Sequence, residues 1–262
     1  ATVTLPHTVA LNPAGTVAYV GSFDTPEGNI TSYSVSSGTL TEVVTAPAPP
    51  YTSPSSLGLV VDPNDHLVFA TNSFSGTVSV FTVSGGTLTA VSGSPFAYQG
   101  GVSGTNGPYA IAVYPTGGFV YITDFYQNTV TAYSYTAAGV LTEVGTPLAV
   151  GTQPESVAVD PTGRFLYVAN TGNGTVAGSV SACSINASTG ALTLIGTIAT
   201  AGTGLTSSTI AVQVDPSGQF VYTANGDDAT VSAFKINQAT GALTAIGTPL
   251  ATGSGSQGIA VE

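Results

Sequence analysis

Ionic and nucleophilic chemistry is scarce in this chain. Its 262 residues carry 13 carboxylates, two histidines, one cysteine and two basic side chains, Arg164 and Lys235, for a net charge of -11. Two or three carboxylates around a cleft would suit glycoside hydrolysis, and carboxylates gathered on loops would suit Ca²⁺. Asp62, Asp160 and Asp215 each precede a proline and read as turn formers, while Glu42 and Glu143 share one place in a repeat. Left over are Asp24, Glu27, Asp65, Asp124, Glu155, Asp227, Asp228 and Glu262. Five of these, Asp24, Glu27, Asp124, Asp227 and Asp228, fall in corresponding loops of the first, third and fifth units, so acid gathers on one face. Asp24, Asp124, Asp227 and Asp228 are the candidate calcium ligands. No D-x-D-x-D-G array spaces them as a dedicated loop would, so a solvated acidic rim is the plainer account and no cofactor is expected.

His7 and His66 stand at non-equivalent places in different units, which gives neither a partner for metal binding or catalysis. Cys183 occupies a place that is aromatic in the other four units, so it reads as buried packing. Arg164 follows a turn whose equivalents carry Thr16, His66, Gly118 and Gln219; a place that varies so freely reads as a solvated turn. Lys235 has Ser34, Thr82, Ser134 and Ser184 as equivalents and is expected to point outward. Asn29, Asn173 and Asn186 begin N-x-S/T sequons, which have meaning only in a host that glycosylates.

The elements that position these residues are set by a repeat of about fifty residues. Its anchor is a tight turn, N-P-A-G at 12–15, D-P-N-D at 62–65, Y-P-T-G at 114–117, D-P-T-G at 160–163 and D-P-S-G at 215–218. Asp or Asn accepts local backbone hydrogen bonds, Pro presets φ, and Gly tolerates positive φ, so the tetrad closes a hairpin. Six residues after each proline stands an aromatic: Tyr19, Phe69, Tyr121, Tyr167 or Tyr222. A T-V-S-x-F-like segment follows, then G-x-L ending at Leu40, Leu88, Leu141, Leu192 and Leu243. Short β-branched and aromatic runs without helical periodicity predict four strands per unit. Four antiparallel strands repeated radially make a β-propeller, here one all-β domain with repeats at 7–56, 57–107, 108–153, 154–207 and 208–255.

V-A-V-D-P-T-G-R-F-L-Y-V-A-N at 157–170 and V-Q-V-D-P-S-G-Q-F-V-Y-T-A-N at 212–225 resemble the YVTN-type repeats of surface-layer-associated and lactonase-like propellers. The resemblance covers nearly the whole chain. For the lactonases it implies an acidic and basic cluster, with His and Arg, acting on an anionic sugar lactone. An enzyme of that kind, or a glycoside hydrolase, would have to bring together at least two of Asp24, Asp124, Glu155, Asp227 and Arg164.

Residues 256–262 align with the first strand of a further unit, so Gly258, Ile259, Ala260 and Val261 are expected to form a sixth first strand. Five closed blades, a fragment of a larger propeller, and a strand lent to a neighbouring copy all fit that tail. Two isolated cations cannot make the basic face that nucleic acids or anionic membranes need, and no apolar run is long enough for a membrane helix. Hydrophobic residues at 42% argue against disorder. The scarcity of Lys, Arg and Met points to an extracellular or cell-surface protein, with an export signal removed ahead of Ala1. With no convergent polar cluster visible, the expected role is non-catalytic: a structural, self-assembling or adhesive module. Its partners would be copies of itself, joined through the terminal strand, or glycans and surface proteins. A lectin-like variant would expose Phe23, Phe74, Tyr98, Phe125 and Tyr126.

Overall fold

The computed structural model describes residues 6–22, 29–46, 56–98, 107–200, 208–253, 255 and 257–261. Asp24, Glu27, Phe23 and Glu262 lie outside them. The described residues form strands and turns, with no helix among them. The first sheet runs in the order β1 (Pro6–Leu11), β2 (Val17–Ser22), β3 (Ile30–Ser36), β4 (Thr39–Ala46), all antiparallel. The second joins β5 (Ser56–Val61), β6 (Leu67–Asn72), β7 (Thr77–Ser84) and β8 (Thr87–Ala90), with β9 (Phe96–Ala97) also on β7. In the third stand β10 (Pro108–Val113), β11 (Phe119–Asp124), β12 (Thr129–Tyr135) and β13 (Leu141–Ala149). The fourth holds β14 (Pro154–Val159), β15 (Phe165–Asn170), β16 (Ser179–Ile185) and β17 (Leu192–Ala199). The fifth holds β18 (Thr209–Val214), β19 (Phe220–Asn225), β20 (Thr230–Ile236) and β21 (Leu243–Ala251). These are the four-stranded antiparallel blades of a β-propeller, as the repeat predicts.

Two compact units make up the chain, Ala1–Val120 with Tyr133–Glu143 and Tyr121–Ala132 with Val144–Glu262. The first contains the first two sheets and the second the last two; residues of the third sheet fall in both. Within the first unit Tyr19, Val68 and Phe81 share a core with Leu59 and Leu88. Within the second, Phe165, Tyr167 and Val180 pack with Val221, Phe234 and Ile236. Second strands are the most buried, all six residues of β6 and of β15, whereas β21 is exposed along most of its length.

The turn tetrads act as the sequence predicts. Asp160 Oδ1 accepts from Phe165 N at 2.6 Å, and Asp62 Oδ1 accepts from His66 N and Leu67 N at 2.7 and 2.8 Å. Asn12 does the same for Thr16 and Val17. Tyr114 has no such side chain; its ring meets Phe119 edge-on at 5.8 Å instead. Every G-x-L glycine, at 38, 86, 139, 190 and 241, has positive φ between 75° and 82°. Two of these glycines are also wedged against the preceding blade. A Cβ on Gly139 would lie 2.9 Å from Val80 Cγ1, and one on Gly241 would lie 2.3 Å from Phe165 Cδ1. Tyr167 meanwhile donates its hydroxyl to Gly241 O at 3.0 Å.

Two expectations are corrected. The second sheet has a divided fourth strand, because the register shift seen where β3–β4, β16–β17 and β20–β21 pair is widened there into an excursion over 91–95. Gly258, Ile259, Ala260 and Val261 form no strand. Within this chain no described strand pairs with them.

Gly241→Ala should lower stability by about 2–4 kcal/mol, combining a left-handed non-glycine residue with an overpacked contact. Gly196→Ala, where nothing lies within 4 Å, should be neutral or mildly stabilising; parallel denaturant melts compare the two. Asp215 gives a pH test. Against the opposing pull of desolvation, hydrogen bonds from the Ser217 hydroxyl and the Phe220, Gln219 and Ser217 amides hold its carboxyl below the usual range. A depressed carboxylate stabilises above its unfolded pKa, about 4, and that contribution is lost as pH falls through the lower native value. Asp215→Asn should therefore flatten the acid limb of a plot of Tm against pH.

Candidate active site

One end of four of the sheets departs from regular pairing. Where the first strand starts, the register slips: between Pro6 and Thr8 in β1, Ser56 and Leu59 in β5, Pro154 and Ser156 in β14, and Thr209 and Ala211 in β18. The slip leaves His7, Glu155 and Ile210 as extra residues of bulges, a device that re-aims side chains and clusters beside active sites. At this same end the second strands finish on Ser22, Asn72, Asp124, Asn170 and Asn225, all buried.

Asn72 and Asn225 show the ordinary use of that position. Each donates its amide to two hydroxyls of the neighbouring third strand, Asn72 to Thr77 and Ser79 at 3.0 and 2.7 Å, Asn225 to Thr230 and Ser232 at 3.1 and 2.8 Å. Asp124 stands where the other units place an amide or a hydroxyl. Its Oδ1 accepts from Tyr126 N and Gln127 N at 3.0 and 2.9 Å, closing an Asx-type turn. Its Oδ2 is buried without a partner, and so is the hydroxyl of Thr129, the counterpart of Thr77 and Thr230. Desolvation, only partly offset by the Gln127 and Tyr126 amides, pushes the Asp124 carboxyl up from its ordinary pKa.

Within the second unit this turn is tied to the start of β14. Asn128, at φ 57°, ends the turn; its Oδ1 accepts from Gln153 N at 2.7 Å and its carbonyl from Val150 N at 2.9 Å. Gln153, itself at φ 56°, accepts from Thr171 N at 2.9 Å. The Thr171 hydroxyl in turn donates to Glu155 Oε2 at 2.7 Å, orienting that half-buried carboxylate on its bulge. Gly151 permits the close approach, since a Cβ there would lie 2.5 Å from the Asn170 amide. Asn170 donates to Ser179 and Ser181, but its Oδ1 is buried and unpartnered. The turn closed by Asp124 is thus linked to Glu155 through Asn128, Gln153 and Thr171, and Asn170 packs against Gly151 beside it.

The remaining candidates lie elsewhere. Asp227 and Asp228 occupy the turn after β19, where Ser208 Oγ accepts from Asp227 N at 3.2 Å; Asp227 is exposed and Asp228 Oδ2 is buried without a partner. Among the described residues no three acidic, imidazole or thiol groups are grouped to hold a metal, so Asp124, Asp227 and Asp228 do not group with one another for that purpose; Asp24, the fourth candidate calcium ligand, lies outside the described residues. Arg164 is at the opposite end of its sheet, donating to Gln238 O and Oε1 at 2.7 and 3.1 Å and lying over the Phe165 ring. His66 sits at the same type of turn, and Lys235 points outward. Cys183 is fully buried, which pushes its thiol up to about 12 and leaves it unreactive. His7 is exposed in the first unit. Phe74 and Tyr126 are 63% and 61% exposed, whereas Tyr98 is buried against Tyr133. Asn173 and Asn186 are exposed, each accepting local amides.

Residues 1–206 and again 178–257 match the family described as "Lactonase, 7-bladed beta-propeller". The chain belongs to this lactonase family. Solved structures share its fold. A periplasmic gluconolactonase of Pseudomonas aeruginosa superposes with a TM-score of 0.80 at 20% identity, over 96% of this chain and 73% of that one. A Lactobacillus plantarum protein gives 0.78 at 23% identity, over 96% and 72%. A Bacteroides uniformis protein, provisionally named a 6-phosphogluconolactonase, gives 0.67 at 17% identity, over 96% and 88%. No curated protein matches the sequence. The lactonase family is described as seven-bladed, and the described residues here form five sheets. Membership overturns the expectation of a non-catalytic, self-assembling or adhesive module.

Asp124→Asn keeps the acceptor for the turn amides and restores the amide used at Asn72 and Asn225. It should raise Tm at pH 7, and the gain should shrink at low pH. A carboxyl with a raised native pKa carries its stability below the unfolded value and loses it as pH rises through the native one. Calorimetry at pH 7 and pH 4 checks both.

Proposed function

We propose that the chain hydrolyses a lactone, with Glu155 as general base and the Asp124 turn as its positioning scaffold. The observation that carries this reading is the Glu155 carboxylate, set on a bulge and oriented by Thr171 in a member of the lactonase family. Glu155 takes a proton from water as the water oxygen bonds to the lactone carbonyl carbon. The bond from that carbon to the ring oxygen then breaks, and Glu155 returns the proton to the departing oxygen. The product is a hydroxy acid, whose ionisation releases one proton. Arg164 takes no part, being engaged with Gln238 at the other end of its sheet. The scarcity of Lys, Arg and Met supports an extracellular working place.

Proton release from a panel of γ- and δ-lactones, followed against the spontaneous rate, tests the reading. Glu155→Gln should lower kcat by about 100-fold or more with Tm unchanged. Absence of turnover by the unsubstituted protein across the panel, or full activity in the variant, would refute it. Thr171→Val should reduce kcat more modestly, by about 10-fold, the worth of one hydrogen bond to a charged group, and leave KM nearly unchanged.

A further inference from the structure

We infer that the Asn173–Gly174 link is a spontaneous deamidation site, set in the loop that anchors Glu155. That loop, 171–178, is eight residues long, whereas the corresponding connections 73–76, 125–128 and 226–229 have four. Its base holds Thr171, the donor to Glu155 Oε2, and Gly172, whose amide donates to Thr152 O at 3.0 Å. Its tip closes through Asn173 N to Val176 O at 3.1 Å, and Gly172 has no room for a Cβ against that same carbonyl. Asn173 and Gly174 are both exposed. Gly174 stands at φ 79° with open space around it, and among the described residues its amide nitrogen donates to no acceptor. Asn173 Oδ1 is heavily engaged, accepting from Thr175 N at 3.1 Å, the Thr175 hydroxyl at 2.6 Å and Val176 N at 3.0 Å. Three donors on one carbonyl oxygen withdraw charge from Cγ and are placed to stabilise the oxyanion that forms when that carbon is attacked.

The attacker is Gly174 N. It passes its proton to water and bonds to Asn173 Cγ, the bond from Cγ to the side-chain nitrogen breaks, and that nitrogen leaves as ammonia with a proton from water. Water then opens the resulting five-membered imide at either carbonyl, giving aspartate or isoaspartate; one water enters and one ammonia departs. The residue gains a negative charge, and isoaspartate also adds a methylene to the main chain between Gly172 and Val176. The same dipeptide at Asn225–Gly226 lacks these conditions. Asn225 is buried, its amide nitrogen donates to Thr230 and Ser232 at 3.1 and 2.8 Å, and Gly226 N donates to Ser208 O at 2.9 Å. There the attacking nitrogen is tied, the leaving nitrogen is held and water is shut out. Asn186 and Asn237 are exposed and close a similar turn, but Ala187 and Gln238 follow them, and a Cβ beside the attacking nitrogen obstructs ring closure. Asn106, of the third Asn-Gly pair, lies outside the described residues.

Purified protein aged at pH 8 and sampled over time, with peptide mapping by mass spectrometry and isoaspartate methyltransferase labelling, reads each asparagine separately. Conversion at Asn173 should run at least ~10-fold faster than at Asn225, where attack first requires local opening and the loss of several hydrogen bonds, and faster than at Asn186 or Asn237. In concentrated urea, with packing removed, Asn173 and Asn225 should convert at similar rates. Thr175→Val, which keeps the shape and removes the hydroxyl donor, should slow Asn173 about 5-fold, the worth of one hydrogen bond. Conversion of folded Asn173 no faster than Asn225, or a difference between them that persists in urea, would overturn the inference. An unchanged rate in Thr175→Val would overturn the polarising role given to that hydroxyl. Because the readout is chemical, the inference stands or falls separately from the hydrolase reading.

Discussion

In each unit the second strands of the sheets are shut off from water, and a strand so placed can keep polar side chains only where a neighbour satisfies them. This constraint orders much of what surrounds β6, β15 and β19. At their starts, the Asp or Asn of the preceding turn takes the amides that open the strand. Along β15 the Tyr167 ring fills the core and its hydroxyl finds Gly241 O in the next blade, while Phe165 and Ile195 leave no room for a Cβ at that turn. At the strand ends, Asn72, Asn170 and Asn225 reach hydroxyls on the third strands. The bulged, carboxylate-bearing end of the second unit is where the same pattern is left incomplete.

That incompleteness separates a scaffold from a site. A repeat optimised only for packing would place an amide at 124, pair every buried oxygen and start each first strand without an acid on its bulge. The second unit does otherwise at Asp124, Asn170 and Glu155. Membership of the lactonase family supplies the reaction class that such an arrangement can serve. The cations expected of a cluster acting on an anionic lactone lie at the other end of the sheets, with Arg164 held by Gln238.

The fold was almost wholly legible in sequence, because its determinants are local: a turn tetrad, an aromatic six residues after its proline, and a G-x-L glycine with positive φ. Cys183 in an aromatic place and Lys235 on an outward one followed from the same alignment of units. The site was legible only in part. Asp124 in the series Asn72, Asn170, Asn225 was a visible departure, yet the sequence alone weighed it as a loop acid, because burial is set by neighbouring sheets. The bulge that carries Glu155 and the bond from Thr171 depend on register, which no residue type announces. Gly258–Val261 form no strand within the chain for the complementary reason: strand propensity without a pairing partner does not make a ladder.

Because the blades are copies of one motif, Asp124 is also a statement about ancestry. Codons for Asn and Asp differ by a single base, so the step from a satisfied strand end to one with an unpaired carboxyl is among the shortest a duplicated gene can take. The same short step is open at Asn72, Asn170 and Asn225, whose amides occupy corresponding places. Each blade whose second strand ends on Asn is therefore one base away from a buried carboxyl like that of Asp124. Such a gene can move an unpaired carboxyl from one repeat to another without rebuilding its scaffold.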